Sequence, residues 1–298
     1  MTQPAPPPPF TPDLAALEAF ARTGYFVAER AVPEPACEAL CAALSSLIER
    51  VAEDHLAARR TERSFWKLLP ASTRTADVFF DESAAPLESL PAPQWESRAM
   101  RIGHGLHLAD PAFAAFCARP ELREPLFRFA DVAFRLSTGA SPDAAARAAS
   151  DAPAPAAFVQ SAVIYKQPHS EVVQFGFHRD AAYLPTDPES LVLAFIALDP
   201  CTPENGCLAV VPGTHTEPLG LRFLLTPQGF VTSGREPRVA EDRAVLLSMP
   251  RGSVAFVHGR TQHASAPNRS SAPRRALIVH AQSSASQLTP DAWVHQSP

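Results

Sequence analysis

Apolar residues in the first half of the chain recur with the spacing of amphipathic helices. In the clearest case Leu14, Leu17 and Phe20 form one stripe, with Thr11 as the predicted N-cap and Gly24 as the stop. The predicted elements up to residue 136 are this helix, a strand at 25–32, a second helix at about 35–55, loops at 58–97 and two helices that flank Pro120. The first half of the chain is therefore predicted to be mostly helical.

The pattern changes after residue 157, where short β-prone runs are separated by glycine, proline or asparagine. The runs are FVQSAVIY, LVLAFIAL, GCLAVVPG, GSVAFVHG and RALIVHA. Such spacing is typical of an antiparallel sandwich or barrel. The Ala/Pro-rich stretch at 141–157 is low in complexity, and we interpret it as a linker or a surface excursion. The predicted fold class is mainly β with flanking helices, which cover one outer face of a sheet.

Composition narrows the class of protein. The 298 residues are 46% hydrophobic and 19% charged, which is typical of a soluble globular protein. The formal net charge of −5 does not favour nucleic acid as a partner, and no apolar run is long enough to cross a membrane.

We expect residues 1–10, which lack the pattern of a signal peptide, to form a disordered Pro-rich arm. The five cysteines show no pairing pattern, so we expect reduced, mostly buried thiols in a cytoplasmic protein.

Two ionisable residues within an apolar and aromatic run give the first indication of chemistry. His178 and Asp180 stand two apart in FGFHRDAAYLP, so both side chains point to the same side of an extended strand. Placing both on an inward face is costly unless a metal ion compensates for the lost water. The alternative is a solvent-facing strand on which the two residues have no joint role. A third ligand from elsewhere in the chain would distinguish the two.

The candidates for a third ligand are the histidines downstream. They are His215, His258, His263, His280 and His295. We interpret His215 as holding the turn in VVPGTH, His280 as a core histidine with satisfied hydrogen bonds, and His295 as part of the tail. This leaves His258, at the end of a buried-looking strand, and His263, in the loop that follows. From the residues alone both remain open.

Three segments in this order resemble the phytanoyl-CoA dioxygenase family of iron(II)- and 2-oxoglutarate-dependent oxygenases. They are FHRDAAYLP, with a His-x-Asp pair and a following tyrosine, IALDPCTPENGCLAVVPGTHT, and HGRTQHASAPNRSSAPRR. RIGHGLHLADPAF and QSAVIYKQPH further resemble the phytanoyl-CoA dioxygenase domain-containing branch. The resemblance implies a double-stranded β-helix core, of jelly-roll or cupin type, at about 157–285. It also implies one domain over 11–298, with its helical part at about 11–150.

The resemblance assigns roles to individual residues. His178, Asp180 and His263 would be the iron ligands, with His258 the less favoured alternative for the last. Arg274, eleven residues after His263, would hold the far carboxylate of 2-oxoglutarate through its planar guanidinium fork. Its neighbour Arg275 would face the other way. The further candidates are Ser265, Phe195, Arg101 (a lysine in the related branch), Lys166 (for which an ordinary surface lysine is an equal alternative) and the pocket-lining Ala162, which replaces a larger residue.

The activity that the resemblance implies is oxidation of a small-molecule substrate, most simply hydroxylation. Iron(II), 2-oxoglutarate and O2 would take part, and succinate and CO2 would be released. Because Asp180 is an acid, where related halogenases carry a small residue, halogenation is not expected. Two other classes remain open: a cupin-like metal-binding protein, which would have no use for Arg274, and a degenerate 2-oxoglutarate sensor without turnover. No long basic patch for the phosphates of CoA is evident, so a substrate other than phytanoyl-CoA is favoured, while the oligomeric state stays undetermined.

Overall fold

The computed structural model describes residues 10–58, 71–81, 87–226, 229–236, 241–290 and 292–294. Most of the predicted Pro-rich arm and His295 lie outside these residues. Phe10, the last residue of that arm, is described, and its ring stacks on Phe26 with 5.8 Å between the ring centroids. The described part of the chain therefore begins with an aromatic contact to the core.

The helices lie mostly in the first half of the chain, as predicted. They are α1 (Leu14–Thr23), α2 (Glu34–Ala58), α3 (Leu106–Ala109), α4 (Pro111–Cys117), α5 (Pro120–Ser137) and α6 (Pro142–Asp151). Short 3₁₀ turns occupy Ala71–Arg74, Leu87–Ser89, Ala92–Arg98, Asp180–Ala182, Thr214–Thr216 and Glu241–Arg243. Within the described ranges, no helix combines the length and the apolar character needed to cross a membrane.

The strands lie mainly in the second half. They are β1 (Tyr25–Ala28), β2 (Val78–Phe80), β3 (Ala99–His104), β4 (Ala156–Lys166), β5 (Phe175–His178), β6 (Thr186–Asp187), β7 (Val192–Ala197), β8 (Leu208–Val210), β9 (Leu221–Thr226), β10 (Gly229–Gly234), β11 (Val245–Leu247), β12 (Val254–His258), β13 (His263–Ser265), β14 (Arg274–Ser283) and β15 (Gln287–Leu288). Strand β1 is shorter than the predicted 25–32, because the chain turns at Arg30, where φ is 49°.

Helix α1 begins after Asp13 rather than at the predicted Thr11 cap. The Asp13 carboxylate accepts a hydrogen bond of 2.8 Å from the Ala16 backbone N–H. An ionised acceptor at this position also interacts favourably with the positive end of the helix dipole. Gly24 ends the helix, as predicted, with a φ of 82°. Glycine is favoured there both by this left-handed conformation and by the nearness of Thr261 and His215, which a side chain would strike.

Two antiparallel sheets enclose an inner core. The larger has the order β1-β12-β7-β14-β4-β3-β2 and the smaller β11-β8-β13-β5. On β7, Leu193 and Phe195 point between the sheets, whereas Ala194 and Ile196 face outwards. The strands of the larger sheet are thus buried on both faces, which is why they form continuous apolar runs in the sequence. The arrangement confirms the predicted mainly β fold with a jelly-roll core.

Helices α1 and α5 cover the outer face of the larger sheet. Phe129 of α5 packs between Phe20 of α1 and Phe256 of β12, at centroid distances of 4.7 Å and 4.6 Å. All three rings are fully buried. The expectation that the helices cover an outer sheet face is therefore confirmed, and burial of aromatic rings supplies much of the apolar area at this contact.

Helix α6 shows that the interpretation of 141–157 as a linker was wrong. Ser141 caps this helix by accepting a hydrogen bond from the Ala144 N–H at 3.3 Å. Ala145, Ala146 and Ala149 are fully buried, in a helix that packs on α1 and α5. Alanine is frequent here because it favours helix and allows close approach of neighbouring helices. The high alanine content that suggested a linker thus allows this helix to pack closely against its neighbours.

All five cysteines are free thiols, as expected. Cys41 is partly exposed and the other four are buried.

The packing of α6 predicts a difference between two substitutions on the same helix. Ala146→Glu places a carboxylate in a fully buried position and should lower the free energy of unfolding by about 3–5 kcal/mol, the usual cost of an uncompensated buried charge. Ala144→Glu, at an exposed position in the first turn, should change it little. Urea unfolding of both variants measures this, and equal stability would show that α6 does not contribute to the core.

Candidate metal centre

Strands β5 and β13 bring two of the predicted ligands together. His178 and His263 lie directly opposite each other in this antiparallel pair, with 4.3 Å between their ring centroids. Asp180 follows β5 and begins a 3₁₀ turn. One potential ligand atom from each of the three residues lies within 4.8 Å of the others. The structure therefore groups His178, Asp180 and His263, as the sequence predicted.

Backbone carbonyls orient both imidazoles. Nδ1 of His178 donates to the Gly176 carbonyl at 2.8 Å, and Nδ1 of His263 donates to the Thr261 carbonyl at 3.0 Å. Because a carbonyl can only accept, the proton sits on Nδ1 and the lone pair on Nε2. The Nε2 atoms of His178 and His263 lie 3.6 Å and 3.7 Å from the Asp180 carboxylate. Fixing the tautomer in this way prepares a histidine to bind a metal.

The electrostatics suit a divalent cation. Burial raises the pKa of Asp180, but His263, His280 and His178 more than offset this and hold it well below its usual value. Burial lowers the pKa of His263 to about 4, against the attraction of Asp180. Burial also lowers the pKa of His178, yet the hydrogen bond and charge of Asp180 leave it raised. A carboxylate beside two imidazole nitrogens is the donor set of non-haem iron(II) sites with open positions, so these residues fit that ion.

His280 belongs to this site, although the sequence analysis did not place it there. Its Nε2 donates to Oδ2 of Asp180 at 3.0 Å, and its Nδ1 accepts from the side-chain amide of Gln160 at 3.0 Å. It is a buried histidine with satisfied hydrogen bonds, as interpreted, but it faces the metal ligands. One signal was available: His280 lies six residues after Arg274, so both point to the same face of β14.

His258 and His215 lie together at a different place. Their rings are 5.3 Å apart, and His258 accepts a hydrogen bond from the Arg260 N–H at 3.1 Å. His215 donates to the Ala21 carbonyl at 3.1 Å, which ties its turn to helix α1. The grouping around Asp180 includes neither residue. The geometry thus favours His263 over His258 as the third ligand.

A cavity of about 520 Å³ opens beside the three ligands, and Arg274 forms part of its wall. Arg274 is only 1% exposed. Its Nη2 donates to the Gly206 carbonyl at 3.0 Å, while Nε and Nη1 have no hydrogen-bond partner among the described residues. Buried donors without partners are rare in folded proteins. Two such N–H groups on one guanidinium fit the carboxylate of a bound diacid.

Arg275 faces away from the cavity, as predicted. Its Nε and Nη2 donate to the two carboxylate oxygens of Asp199 at 2.7 Å and 2.8 Å. This bidentate pair is complete within the protein, which leaves only Arg274 of the two neighbouring arginines for a ligand.

The remaining candidates divide into two groups. Ser265, Phe195 and Arg101 line the cavity. Lys166 does not: its Nζ donates to the Ser265 carbonyl at 3.1 Å and to the carbonyl of Ala266. It is 1% exposed, so the surface-lysine alternative is wrong, and burial, followed by the charge of Arg274, lowers its pKa to about 7. The side chain of Ala162 packs in the core between the sheets.

The fold and the three grouped residues define a jelly-roll protein with a candidate non-haem metal site. The sequence profile described as Phytanoyl-CoA dioxygenase (PhyH) matches residues 20–276, and the chain belongs to this family. The predicted family is thereby confirmed.

A mouse relative, phytanoyl-CoA dioxygenase domain-containing protein 1 of Mus musculus, is 32% identical over 211 residues. The match covers 68% of this chain and 64% of the mouse protein. This chain therefore matches somewhat less than two thirds of that relative's length.

Solved structures show the same fold at low sequence identity. AviO1 from Streptomyces viridochromogenes Tue57 has a TM-score of 0.57 and 23% identity, over 94% of this chain and 100% of its own. The epimerase SnoN, in complex with Fe3+, alpha ketoglutarate and nogalamycin RO, has a TM-score of 0.53 and 18% identity, over 96% of this chain and 91% of its own. These likenesses confirm the predicted fold.

The contact of His280 with Asp180 predicts a loss of metal affinity on substitution. Without this hydrogen bond the carboxylate loses one of the contacts that orient it, and loss of such outer partners typically weakens metal binding by about 10–100-fold. We therefore expect His280→Ala to bind iron(II) about 10–100-fold more weakly than the parent protein does. Anaerobic competition with a chelator measures this affinity. His280→Gln, which keeps an N–H donor, should recover part of the affinity.

Substitutions of two other histidines provide the controls for that measurement. His263→Ala should abolish iron binding, while His258→Ala, at a buried histidine outside the site, should retain it. Full affinity in His280→Ala, or equal losses in the His280 and His258 variants, would contradict a role for His280 in orienting Asp180.

Proposed function

We propose that the protein is a non-haem iron(II)- and 2-oxoglutarate-dependent dioxygenase that hydroxylates a small molecule and releases succinate and CO2. The observation that carries this proposal is a single cavity lined both by His178, Asp180 and His263 and by the buried, partly unpartnered guanidinium of Arg274. Family membership supports it. So does the fold shared with SnoN, whose structure holds Fe3+ and alpha ketoglutarate.

In this proposal one part of the cavity holds the metal ion and another holds the far carboxylate of the co-substrate. His178, Asp180 and His263 would hold iron(II), which when bound supplies the activation of O2. Arg274 binds the far carboxylate of 2-oxoglutarate through its free Nε and Nη1. Ser265, two residues from His263 on β13, presents a hydroxyl to the same carboxylate. Phe195, whose ring centroid is 5.6 Å from the Arg274 guanidinium, forms the apolar wall against the carbon chain.

Aromatic side chains exclude water from the other side of the cavity. Phe223 of β9 stacks on Tyr183, with 4.1 Å between the centroids and 12° between the rings, and both line the cavity. Lower water content strengthens the charge interactions of Asp180 and Arg274 with a ligand and protects reactive species from side reactions. The substrate would enter past this stack.

Succinate release tests the proposed activity directly. With iron(II), O2 and 2-oxoglutarate, the parent protein should form succinate, and the rate should rise when a metabolite screen supplies the substrate. Asp180→Ala should lack this activity because the facial site needs its carboxylate. Two results would favour the rival classes: binding of 2-oxoglutarate without succinate indicates a sensor, and binding of iron without 2-oxoglutarate indicates a cupin-like metal protein.

The role of Arg274 predicts a selective loss of co-substrate binding. Removing one partner of a buried charge pair costs about 3–5 kcal/mol, which corresponds to a hundredfold or greater loss in affinity. Arg274→Ala should therefore bind iron(II) normally but 2-oxoglutarate at least about a hundredfold more weakly. The visible charge-transfer band of the anaerobic iron(II)·2-oxoglutarate complex follows this titration.

Arg275→Ala provides the matched control. Loss of its bidentate pair with Asp199 should lower the stability of the protein while leaving the affinity for 2-oxoglutarate close to that of the parent. An unchanged titration for Arg274→Ala would mean that another residue holds the far carboxylate.

A further inference from the structure

We propose that Gln160 binds a hydroxyl group of the primary substrate, so that the substrate is a small alcohol with an apolar body. The proposed contacts to the metal ion and to 2-oxoglutarate do not use Gln160, although it lines the same cavity. This inference rests on the proposed function and specifies the substrate class of that site.

Gln160 points into the space between the two sheets. On β4 it precedes Ala162 and Ile164, and both of these residues belong to the inner core. Residues two apart share a face of a strand, so Gln160 lies on the inward face as well. It is 4% exposed and lines the cavity. Its amide is therefore removed from bulk water and has to find hydrogen bonds inside the protein or on a ligand.

Only one end of the Gln160 amide has a partner in the part of the chain that the structure describes. The amide nitrogen lies 3.0 Å from Nδ1 of His280, whereas Oε1 has no hydrogen-bond partner among the described residues. Buried polar atoms without a partner are rare in folded proteins. The unpaired end of the amide therefore indicates a place for a polar group of a ligand.

A hydroxyl group fits this unpaired end in either orientation of the amide. The oxygen and nitrogen of a glutamine amide can exchange places, and which of them faces His280 depends on the tautomer of that ring. A hydroxyl donates a hydrogen bond to an amide oxygen and can equally accept one from an amide nitrogen. Binding of a hydroxyl is therefore independent of the protonation of His280, whereas a carbonyl or an ammonium group would fit only one orientation.

The neighbours of Gln160 hold its backbone in place. On one side of β4 it pairs with His280 of β14, and on the other side Ser161 pairs with His104 of β3. The Ser161 hydroxyl also accepts a hydrogen bond of 2.8 Å from the His107 backbone N–H. A recognition group on a strand within a sheet is placed more precisely than one on a loop.

A co-substrate bound at Arg274 does not reach Gln160. Along the paired strands β4 and β14, Arg274 lies opposite Lys166 and His280 lies opposite Gln160, so the two pairs are six residues apart. Six residues of strand span roughly 20 Å. A five-carbon diacid that extends from Arg274 to the metal ligands is much shorter than this. The unpaired amide therefore remains for a second molecule, which is the primary substrate.

Gln160 lies close to the place where oxidation would occur. Its amide contacts one nitrogen of the His280 ring, and the other nitrogen of that ring lies 3.0 Å from Oδ2 of Asp180. A single imidazole ring therefore separates the Gln160 amide from the Asp180 carboxylate. A hydroxyl on Gln160 would place the neighbouring carbon atoms of a small substrate beside the metal ligands.

Apolar side chains form the cavity wall near Gln160. Leu184 and Trp293 pack in one cluster with Val159, which precedes Gln160 on β4. Both line the cavity, as does Leu193 of β7. Apolar walls with a few placed polar groups are typical of small-molecule sites. The substrate is thus an alcohol with a mostly apolar surface, and the volume of about 520 Å³, which it shares with 2-oxoglutarate, favours a compact one.

Binding of simple alcohols and their methyl ethers tests this inference. The probes are benzyl alcohol, 2-phenylethanol and cyclohexanol, each with its methyl ether. The ether lacks the O–H donor, and its extra methyl group takes the place in which the hydroxyl would meet the amide. Each probe is titrated into the anaerobic protein saturated with iron(II) and 2-oxoglutarate, and calorimetry and the shift of the charge-transfer band measure its affinity. In the parent protein at least one alcohol should bind about tenfold or more tightly than its ether, since an unmade buried hydrogen bond is costly.

Substitutions then locate the group responsible. Gln160→Met has a similar length but no amide, so it should remove the preference for the alcohol while leaving the affinity for the ether about the same. Gln94→Met makes the same exchange at an exposed position in the 3₁₀ turn Ala92–Arg98 and should behave like the parent. Because iron(II) and 2-oxoglutarate are saturating, a modest loss of iron affinity through His280 does not affect this comparison. The comparison of alcohol and ether in the parent protein does not depend on the folding of any variant.

Several outcomes would overturn the inference. The substrate class is wrong if no alcohol is favoured over its ether in the parent protein. Gln160 is not the anchor if the preference persists in Gln160→Met, and a variant that keeps the preference but loses iron affinity would show that Gln160 acts only through His280. Failure of the parent to form the iron(II)·2-oxoglutarate complex would contradict the proposed function itself, whereas a normal complex without any preference for alcohols would contradict the substrate class alone.

Discussion

The site depends on one carboxylate held among three histidines. Asp180 lies 3.6 Å and 3.7 Å from the Nε2 atoms of His178 and His263 and accepts a hydrogen bond of 3.0 Å from His280. His178 and His263 come from the smaller sheet and His280 from the larger. These four side chains can therefore come together only when the two sheets are packed against each other in the correct alignment.

The chain between the ligands is anchored on the side away from the cavity. Arg179, which separates His178 from Asp180, is fully buried and pairs with Glu217 at 2.7 Å and with Glu236 at 3.1 Å. Gln262, next to His263, donates to Glu236 at 2.8 Å. One carboxylate thus connects the two segments that carry the ligands. Such outer contacts hold ligand side chains in place without touching a metal.

The sequence predicted those parts of the site that local spacing or family resemblance defines. The His-x-Asp pair indicates a common face, and Arg274 follows His263 at the family's interval. His280 and Gln160 were missed because the strands that carry them are buried on both faces, so apolar alternation does not reveal which residues point inwards. Pairing across β4 and β14, a contact far apart in sequence, decides this. Lys166 and helix α6 were misjudged for a similar reason, since tertiary burial determines both.

A structure of the protein crystallised anaerobically with iron(II) and 2-oxoglutarate would test the proposed metal and co-substrate sites most directly. We expect iron bound by Nε2 of His178, one carboxylate oxygen of Asp180 and Nε2 of His263, with the far carboxylate of 2-oxoglutarate against Nε and Nη1 of Arg274. Iron at His215 and His258, or a co-substrate that leaves Arg274 without a partner, would contradict this expectation.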